Sequence, residues 1–184
     1  MATIRVKPDT FSLVHYDNAE ISGIAARVAD AIGFGPDVEI VVDVIEASPL
    51  GRVSVSSLEP ITIACEGGAL EDPKAPRRLS VDNTLSSLSK VLYRVFDRQF
   101  GGFADAPPDD KLSLAEAVAW DVHAVGRSAT AGFPVQRQRR LYAFRNRHGF
   151  SDFADAAFEE LWNAPWMTWA DVQAICARTK AAAA

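Results

Sequence analysis

The stretch from Val38 to Glu46 reads VEIVVDVIE, and it decides the fold class of this 184-residue chain. Every second residue from Val38 to Val44 is apolar, and Val41 and Ile45 add apolar residues to the alternate positions. Alternation with a period of two indicates a strand. Apolar residues on both faces indicate that the strand lies inside a sheet whose two faces are both covered. The sequence therefore predicts a sheet with this strand near its centre.

Further strand candidates surround this stretch in the first eighty residues. Short runs of alternating apolar and polar residues, bounded by turn-forming Pro and Gly, are typical of strands. They lie at Thr3–Lys7, Thr10–His15, Arg52–Ser57 and Ile61–Cys65. The short links that contain Pro49 and Pro60 favour antiparallel neighbours, because parallel neighbours need a long crossover connection.

Helical spacing first appears after Asp17-Asn18, a pair suited to capping a helix start. Apolar residues then recur every three or four positions from Ile21 to Ile32, which predicts one helix beside the strands. Residues 66–80 are rich in Gly and Pro and are expected to connect the two halves of the chain. From residue 80 onward only helices are predicted. They are the helices Ser80–Phe100, Lys111–Arg127, Pro134–His148 and Ser151–Trp162, and a last one that begins at Thr168.

The predicted fold class is α+β, with a mixed or mainly antiparallel sheet of four to five strands, one packed helix, and a helical C-terminal half. Residues 1–184 are predicted to form a single domain, made of a sheet-forming part (1–79) and a helical part (80–184). The two parts are expected to share a core, because each is small for a domain that is stable by itself. The last four residues, Ala181 to Ala184, are expected to fray.

The composition matches an ordinary globular protein, with 48% hydrophobic and 23% charged residues. No run approaches the roughly 20 apolar residues of a membrane span, and the N-terminus lacks the apolar core of a signal peptide. We therefore expect a soluble, cytoplasmic protein without a membrane partner. Its two cysteines, Cys65 and Cys176, are expected to be free thiols that pack as small apolar residues.

The distribution of charge is the clearest anomaly in the sequence. Between Val122 and Ser151 there is no Asp or Glu but there are six arginines, so this segment carries +6 in a chain whose net charge is −5. Guanidinium groups bind anions bidentately, and the aromatic residues Tyr142, Phe144 and Phe150 interleave with them. The sequence therefore predicts an anion- or partner-binding site. Its candidate residues are Arg137, Arg139, Arg140, Arg145, Arg147 and His148.

Three interpretations of this segment stay open. On a helical wheel the arginines from 137 to 147 point in nearly all directions, whereas a groove-binding helix would gather them on one side. The first interpretation is ion pairing inside the molecule, because Asp152, Asp155 and Glu159 form an acidic stripe on the next helix. The other two interpretations are an acidic protein partner and a nucleic acid, and a homodimer is also compatible with the sequence.

Catalytic motifs are missing from the sequence. The three histidines, His15, His123 and His148, form no His-Glu-x-x-His pair, and no Gly-x-Ser-x-Gly or phosphate-binding glycine loop is present. No metal site and no cofactor are predicted. The leading hypothesis is a non-catalytic binding or regulatory protein. The alternative is a hydrolase-like enzyme with a site around His148 or His123, on a degenerate zincin-like scaffold.

Overall fold

The computed structural model describes residues 1–182, which form six α-helices and two sheets. The strands are β1 Thr3–Lys7, β2 Glu39–Ile45, β3 Val53–Leu58, β4 Ile61–Glu66, β5 Glu71–Asp72 and β6 Ala75–Leu79. The helices are α1 Asn18–Ile32, α2 Val81–Gln99, α3 Leu114–Thr130, α4 Arg137–His148, α5 Asp152–Asn163 and α6 Trp169–Ala182. The α+β class with a helical C-terminal half is thereby confirmed. Of the four residues expected to fray, Ala181 and Ala182 continue α6, and the last two lie outside the described residues.

Two compact units make up the chain, Met1–Val95 and Phe96–Ala184, and the boundary falls inside α2. The single-domain arrangement expected from the sequence stays a prediction. Among residues 1–182, no helix combines the length and apolar character that crossing a membrane requires. Cytoplasmic location likewise stays a prediction.

A mixed four-stranded sheet with the order β1-β2-β4-β3 forms the first unit. Strand β2 lies inside it, parallel to both β1 and β4, and α1 provides the crossover from β1 to β2. The interior position predicted for this strand is confirmed, although Ile45 at its end is exposed. Antiparallel pairing, which the short links favoured, holds only between β3 and β4 in this sheet. The link after β2 leads to the far edge rather than to a neighbouring strand, so its shortness gave no information on pairing.

The strand predicted at Thr10–His15 is absent. A side chain takes the hydrogen bonds that a neighbouring strand would supply: the Ser12 and Leu13 N–H groups donate to the Glu46 carboxylate at 2.7 and 2.6 Å. These bonds hold the pKa of Glu46 below its usual value. Only an isolated bridge between His15 and Arg78 remains of strand pairing in this segment.

Local capping residues set where several helices begin. Ser151 caps α5, and Thr168 with Asp171 forms a reciprocal cap before α6. Helix α3 starts after Ser113 rather than at Lys111, because Ser113 and Glu116 form a complete capping box. Two other boundaries differ from expectation. Helix α4 starts at Arg137, three residues after Pro134, and the segment 66–80 contains the β5-β6 hairpin instead of only turns.

Helix α3 is the centre of the second unit, where it packs against α4, α5 and α6. The apolar core around it is rich in aromatic side chains. Its largest fully buried members are Trp120, Phe103, Phe144, Phe158 and Leu161. Close approach of α3 and α5 depends on Gly126, since a Cβ there would lie 2.1 Å from the Trp162 carbonyl oxygen.

We expect Gly126→Ala to lower the free energy of unfolding by about 1–3 kcal/mol, because the new methyl group has to push two helix backbones apart. Urea unfolding followed by circular dichroism measures this loss. Gly23→Ala in α1 is the matched control, since no atom lies within 4 Å of its added Cβ. That substitution should stabilise by about 0.5–1 kcal/mol, as Ala does in a helix interior. Equal stability of the two variants would contradict the close packing described for Gly126.

Candidate partner-binding surface

The arginines of α4 divide into two sets. Three of them make ion pairs with other helices of the second unit: Arg137 with Glu159, Arg145 with Asp155, and Arg140 with Asp121. Arg139 and Arg147 are exposed, and within residues 1–182 neither makes an ion pair or hydrogen bond. One helix can direct only part of its circumference at its neighbours. The arginines on that part are paired, and the two on the opposite part face solvent.

One of these pairs joins α4 to α5 through two hydrogen bonds. Arg145 Nε and Nη2 donate to the two oxygens of Asp155 at 2.7 and 2.5 Å, a bidentate arrangement. These hydrogen bonds lower the pKa of Asp155 and raise that of Arg145. Of the acidic stripe on α5, Asp155 and Glu159 pair with arginines of α4, which agrees with one of the three interpretations of the sequence.

Arg137 adds a contact with aromatic rings to its ion pair with Glu159. Its guanidinium carbon lies 5.3 Å from the ring centroid of Phe158 and 5.4 Å from that of Trp162. A cation over aromatic faces is attracted by the ring quadrupole. Arg137 therefore joins α4 to α5 through both charge and packing, and it serves the fold.

The outward side of α4 combines cations with exposed aromatic side chains. Arg139, Tyr142, Asn146 and Arg147 are exposed and lie within an arc of about 140° at 3.6 residues per turn. Tyr142 is 59% exposed and contacts Phe150, which is 63% exposed, edge to face with ring centroids 5.7 Å apart. We call these five residues the α4 surface. Sequence reasoning singled out two of its cations and both aromatic residues but did not separate them from the arginines that are paired.

His148 lies inside the unit, away from the α4 surface. It is buried, it stacks on Phe144 with ring centroids 3.9 Å apart, and both ring nitrogens have protein partners. Nε2 lies 3.1 Å from the Ala115 carbonyl oxygen and Nδ1 lies 2.8 Å from the Thr179 hydroxyl. The ring thus connects the end of α4 to α3 and α6, which identifies it as a structural connection between three helices.

The hydrogen bonds of His148 determine its neutral tautomer. A carbonyl only accepts, so Nε2 carries the proton and donates to Ala115. In this neutral form Nδ1 can only accept, so the Thr179 hydroxyl donates its one proton to Nδ1 and not to the carbonyl oxygens of Ile175 and Cys176, which lie 3.1 and 3.0 Å from it. Burial lowers the pKa of His148, opposed by the Ala115 hydrogen bond, so the neutral form is favoured. Neither ring nitrogen is left to act on a substrate in this arrangement.

His123 belongs to a buried polar cluster built around Asp97. The Asp97 carboxylate accepts hydrogen bonds from Trp120 Nε1 at 2.8 Å and from Arg127 Nη2 at 2.6 Å. His123 is fully buried one helical turn from Trp120 and Arg127, with Nδ1 3.3 Å from the Leu161 carbonyl oxygen. Burial, with the Arg127 charge second, lowers its pKa to about 4. This histidine is therefore neutral at physiological pH and inaccessible to solvent.

The central role of Asp97 was missed in the sequence. Asp97 stands among the charged residues Lys90, Arg94 and Arg98 of α2, yet it is only 3% exposed. Its partners Trp120 and Arg127 follow 23 and 30 residues later, so no local pattern connects them. A carboxylate next to the apolar face of a helix is predicted from sequence to be exposed to solvent. Its burial becomes evident only when the packing of distant helices is known.

No group of three or more His, Cys, Asp or Glu side chains in the described part of the chain is arranged to hold a metal ion. Cys65 and Cys176 are both free thiols. Comparison with known proteins adds nothing further: no family model, no curated protein and no solved structure matches this chain.

We expect Asp97→Asn to lower the free energy of unfolding by about 3 kcal/mol, because the Arg127 guanidinium, whose side chain is 13% exposed, loses the charge of its carboxylate partner. Chemical denaturation measures the change. Glu160→Gln is the matched control, since it makes the same substitution in the Arg178–Glu160 pair, whose side chains are about half exposed. This control should cost less than about 1 kcal/mol. A small effect of Asp97→Asn would show that the cluster does not stabilise the unit.

His123 should make stability depend on pH. The unfolded chain binds a proton near the usual pKa of 6.5, whereas the folded protein does so only near about 4. The free energy of unfolding should therefore fall by roughly 3 kcal/mol as the pH is lowered through this window. Urea unfolding at pH 7.5 and pH 4.5 captures most of this change, about 2.5 kcal/mol, because pH 4.5 is still above the pKa in the folded protein.

In His123→Gln this contribution to the pH dependence should disappear. His148 acts in the same direction and carboxylates also titrate below pH 5, so the variant is compared with the wild type at both pH values. His15→Gln is the control, because His15 is exposed. Identical pH dependence in wild type and His123→Gln would contradict the lowered pKa.

Proposed function

We propose that this chain is a non-catalytic binding or regulatory protein that uses the α4 surface to bind an acidic segment of a partner protein. The observation that carries the proposal is the exposed combination of Arg139 and Arg147 with Tyr142 and Phe150. Arg and Tyr are enriched in protein interfaces, where they account for much of the binding energy. Each of the two cations lacks a carboxylate partner within residues 1–182, so it is available to another molecule.

The geometry of the surface favours binding through a few anchoring side chains. Tyr142 and Phe150 already contact each other, so little side-chain freedom remains to be lost on association. Arg145 and Arg137, whose ion pairs hold α4 to α5, keep the helix in place. The surface is thus presented on a supported helix, as a preorganised binding site requires.

Charge favours an acidic protein segment over nucleic acid. Of the six arginines in the +6 segment, four are in ion pairs, the fourth being Arg127 with Asp97. Arg139 and Arg147 are left for a partner, whereas nucleic-acid binding at physiological salt draws on many phosphate contacts. The net charge of −5 would also repel a polyanion. Two arginines beside two aromatic rings suit a short segment that carries both carboxylates and apolar side chains.

An enzyme with a site at His148 or His123 stays an alternative hypothesis with less support. The ring nitrogens of His148 are engaged by Ala115 and Thr179, and His123 is fully buried. Proton transfer would require one of these rings to leave its present hydrogen bonds. The zincin-like version would in addition need metal ligands on α2, where Lys90, Arg94 and Asp97 stand.

We expect the double substitution Arg139→Ala and Arg147→Ala to weaken binding of an acidic peptide about tenfold, since two charge contacts are removed. The probe is a fluorescein-labelled peptide in which Asp and Glu surround two Phe residues, followed by fluorescence anisotropy at several salt concentrations. Tyr142→Ala should weaken binding as well. The affinity of the wild type for the peptide should decrease as salt is added. Thermal unfolding should be unchanged in the double variant because neither arginine has a partner among the described residues.

The matched control is Arg178→Ala, which removes an exposed arginine of α6 that is paired with Glu160. It should bind the peptide as the wild type does. Equal binding by the wild type and the double variant, or no binding at all, would refute the proposal. Labelled duplex DNA and single-stranded RNA are tested in parallel. A nucleic acid that binds tightly with a steep salt dependence would favour the nucleic-acid alternative instead.

A further inference from the structure

We infer that a groove in the second unit, between α3, α4 and α6, binds a small anionic amphiphile, that is, a carboxylate or phosphate head group on an apolar tail. This groove shares Arg147 with the α4 surface, but the inference does not depend on the partner binding proposed above. The groove has a volume of about 820 Å³, within the size range of small-molecule sites. Helix α3 contributes Ala115 and Glu116, α4 ends in it with His148, and α6 contributes Cys176 and Lys180.

The floor of the groove is held in place by hydrogen bonds. The His148 ring is fixed between the Ala115 carbonyl and the Thr179 hydroxyl, and Phe144 covers one of its faces. All three helices that line the groove are therefore connected at its base. A site that exists before the ligand arrives avoids the cost of ordering it on binding.

The charges in the groove favour an anion. Arg147 and Lys180 both line it, and neither has an ion pair or hydrogen bond to any residue from 1 to 182. The Glu116 carboxylate also lines it but already accepts from Ser113 N at 3.0 Å and Ser113 Oγ at 2.6 Å. The lining thus carries two available cations against one carboxylate that is used as a helix cap. In a chain of net charge −5 this local excess of positive charge selects an anionic head group.

The remaining wall of the groove is mainly apolar and suits a hydrocarbon tail. Ala115, Cys176 and Ala177 face it. Burial, together with the negative charge of Glu116, raises the pKa of the Cys176 thiol to about 11. The thiol therefore stays almost entirely neutral at physiological pH and packs as an apolar side chain, and its small thiolate fraction reacts only slowly with alkylating agents. An apolar tail beside these residues with its head group at Arg147 and Lys180 uses both parts of the lining.

Cys176 offers a direct test because it is the partly exposed thiol of the chain, whereas Cys65 is fully buried. The full chain is treated with iodoacetamide, and alkylation of Cys176 is followed by mass spectrometry. Octanoate, octyl phosphate, octanol and octylammonium are compared at equal concentration and constant salt, below the concentration at which each forms micelles. We expect octanoate, octyl phosphate or both to slow alkylation at least fivefold, and octylammonium to leave it unchanged. The better protector of the two anions identifies the head group.

Variants separate this site from the α4 surface. Lys180→Ala changes only the groove and should remove most of the protection, as should Arg147→Ala. Arg139→Ala changes only the α4 surface. It should leave the protection of Cys176 unchanged while it weakens binding of the acidic peptide. Cys176→Ser should abolish the alkylation signal, which verifies the labelled thiol. Protection that survives in both Lys180→Ala and Arg147→Ala would overturn the inference.

Two other results would also overturn it. If octanol and octylammonium protect Cys176 as well as the two anions do, the groove is apolar and does not select for charge. Protection by the acidic peptide but by neither anionic amphiphile would assign the groove to a protein partner. Because the peptide assay and the alkylation assay use different residues as controls, failure of one proposal is distinguishable from failure of the other.

Discussion

The buried carboxylate of Asp97 is the interaction on which the helical unit depends. It binds Trp120 and Arg127, two residues on the inner side of α3, and so fixes that helix relative to the end of α2. Because α3 contacts every other helix of the unit, its position determines theirs. Gly126 then lets α5 approach α3 backbone to backbone, and His148 joins α4 and α6 to the start of α3. A charge that is expensive to bury is retained where it orients several elements at once.

The same geometry decides which cations are available for binding. Once α5 is seated, Asp155 and Glu159 neutralise the arginines on the inner side of α4. Arg139 and Arg147 remain exposed beside the aromatic pair of Tyr142 and Phe150. Most arginines of the segment therefore form ion pairs inside the protein. Within residues 1–182, only Arg139 and Arg147 of the segment remain for a partner, and both lie on the outward side of α4. Arg147 contributes both to the α4 surface and to the neighbouring groove.

Prediction from sequence succeeded where the signal was local. The alternation in β2 identified an interior strand, and the caps at Ser151 and Thr168 marked helix starts, because these features depend on residues close along the chain. It failed at Thr10–His15, where the backbone donors bind Glu46 more than thirty residues away. It also failed at Asp97, whose hydrogen-bond partners lie 23 and 30 residues along the chain and whose burial no periodicity signals.

For this protein the sequence by itself determined the α+β class, the order of most helices and strands, and the concentration of arginine around α4. Spacing and capping act over a few residues, so they are readable without coordinates. Only the tertiary structure decided which arginines are paired, that His148 is an internal connection, and that Arg147 and Lys180 share a groove. The physical reason is that side-chain burial and ion pairing depend on distances between helices, and the packing of the whole unit sets those distances.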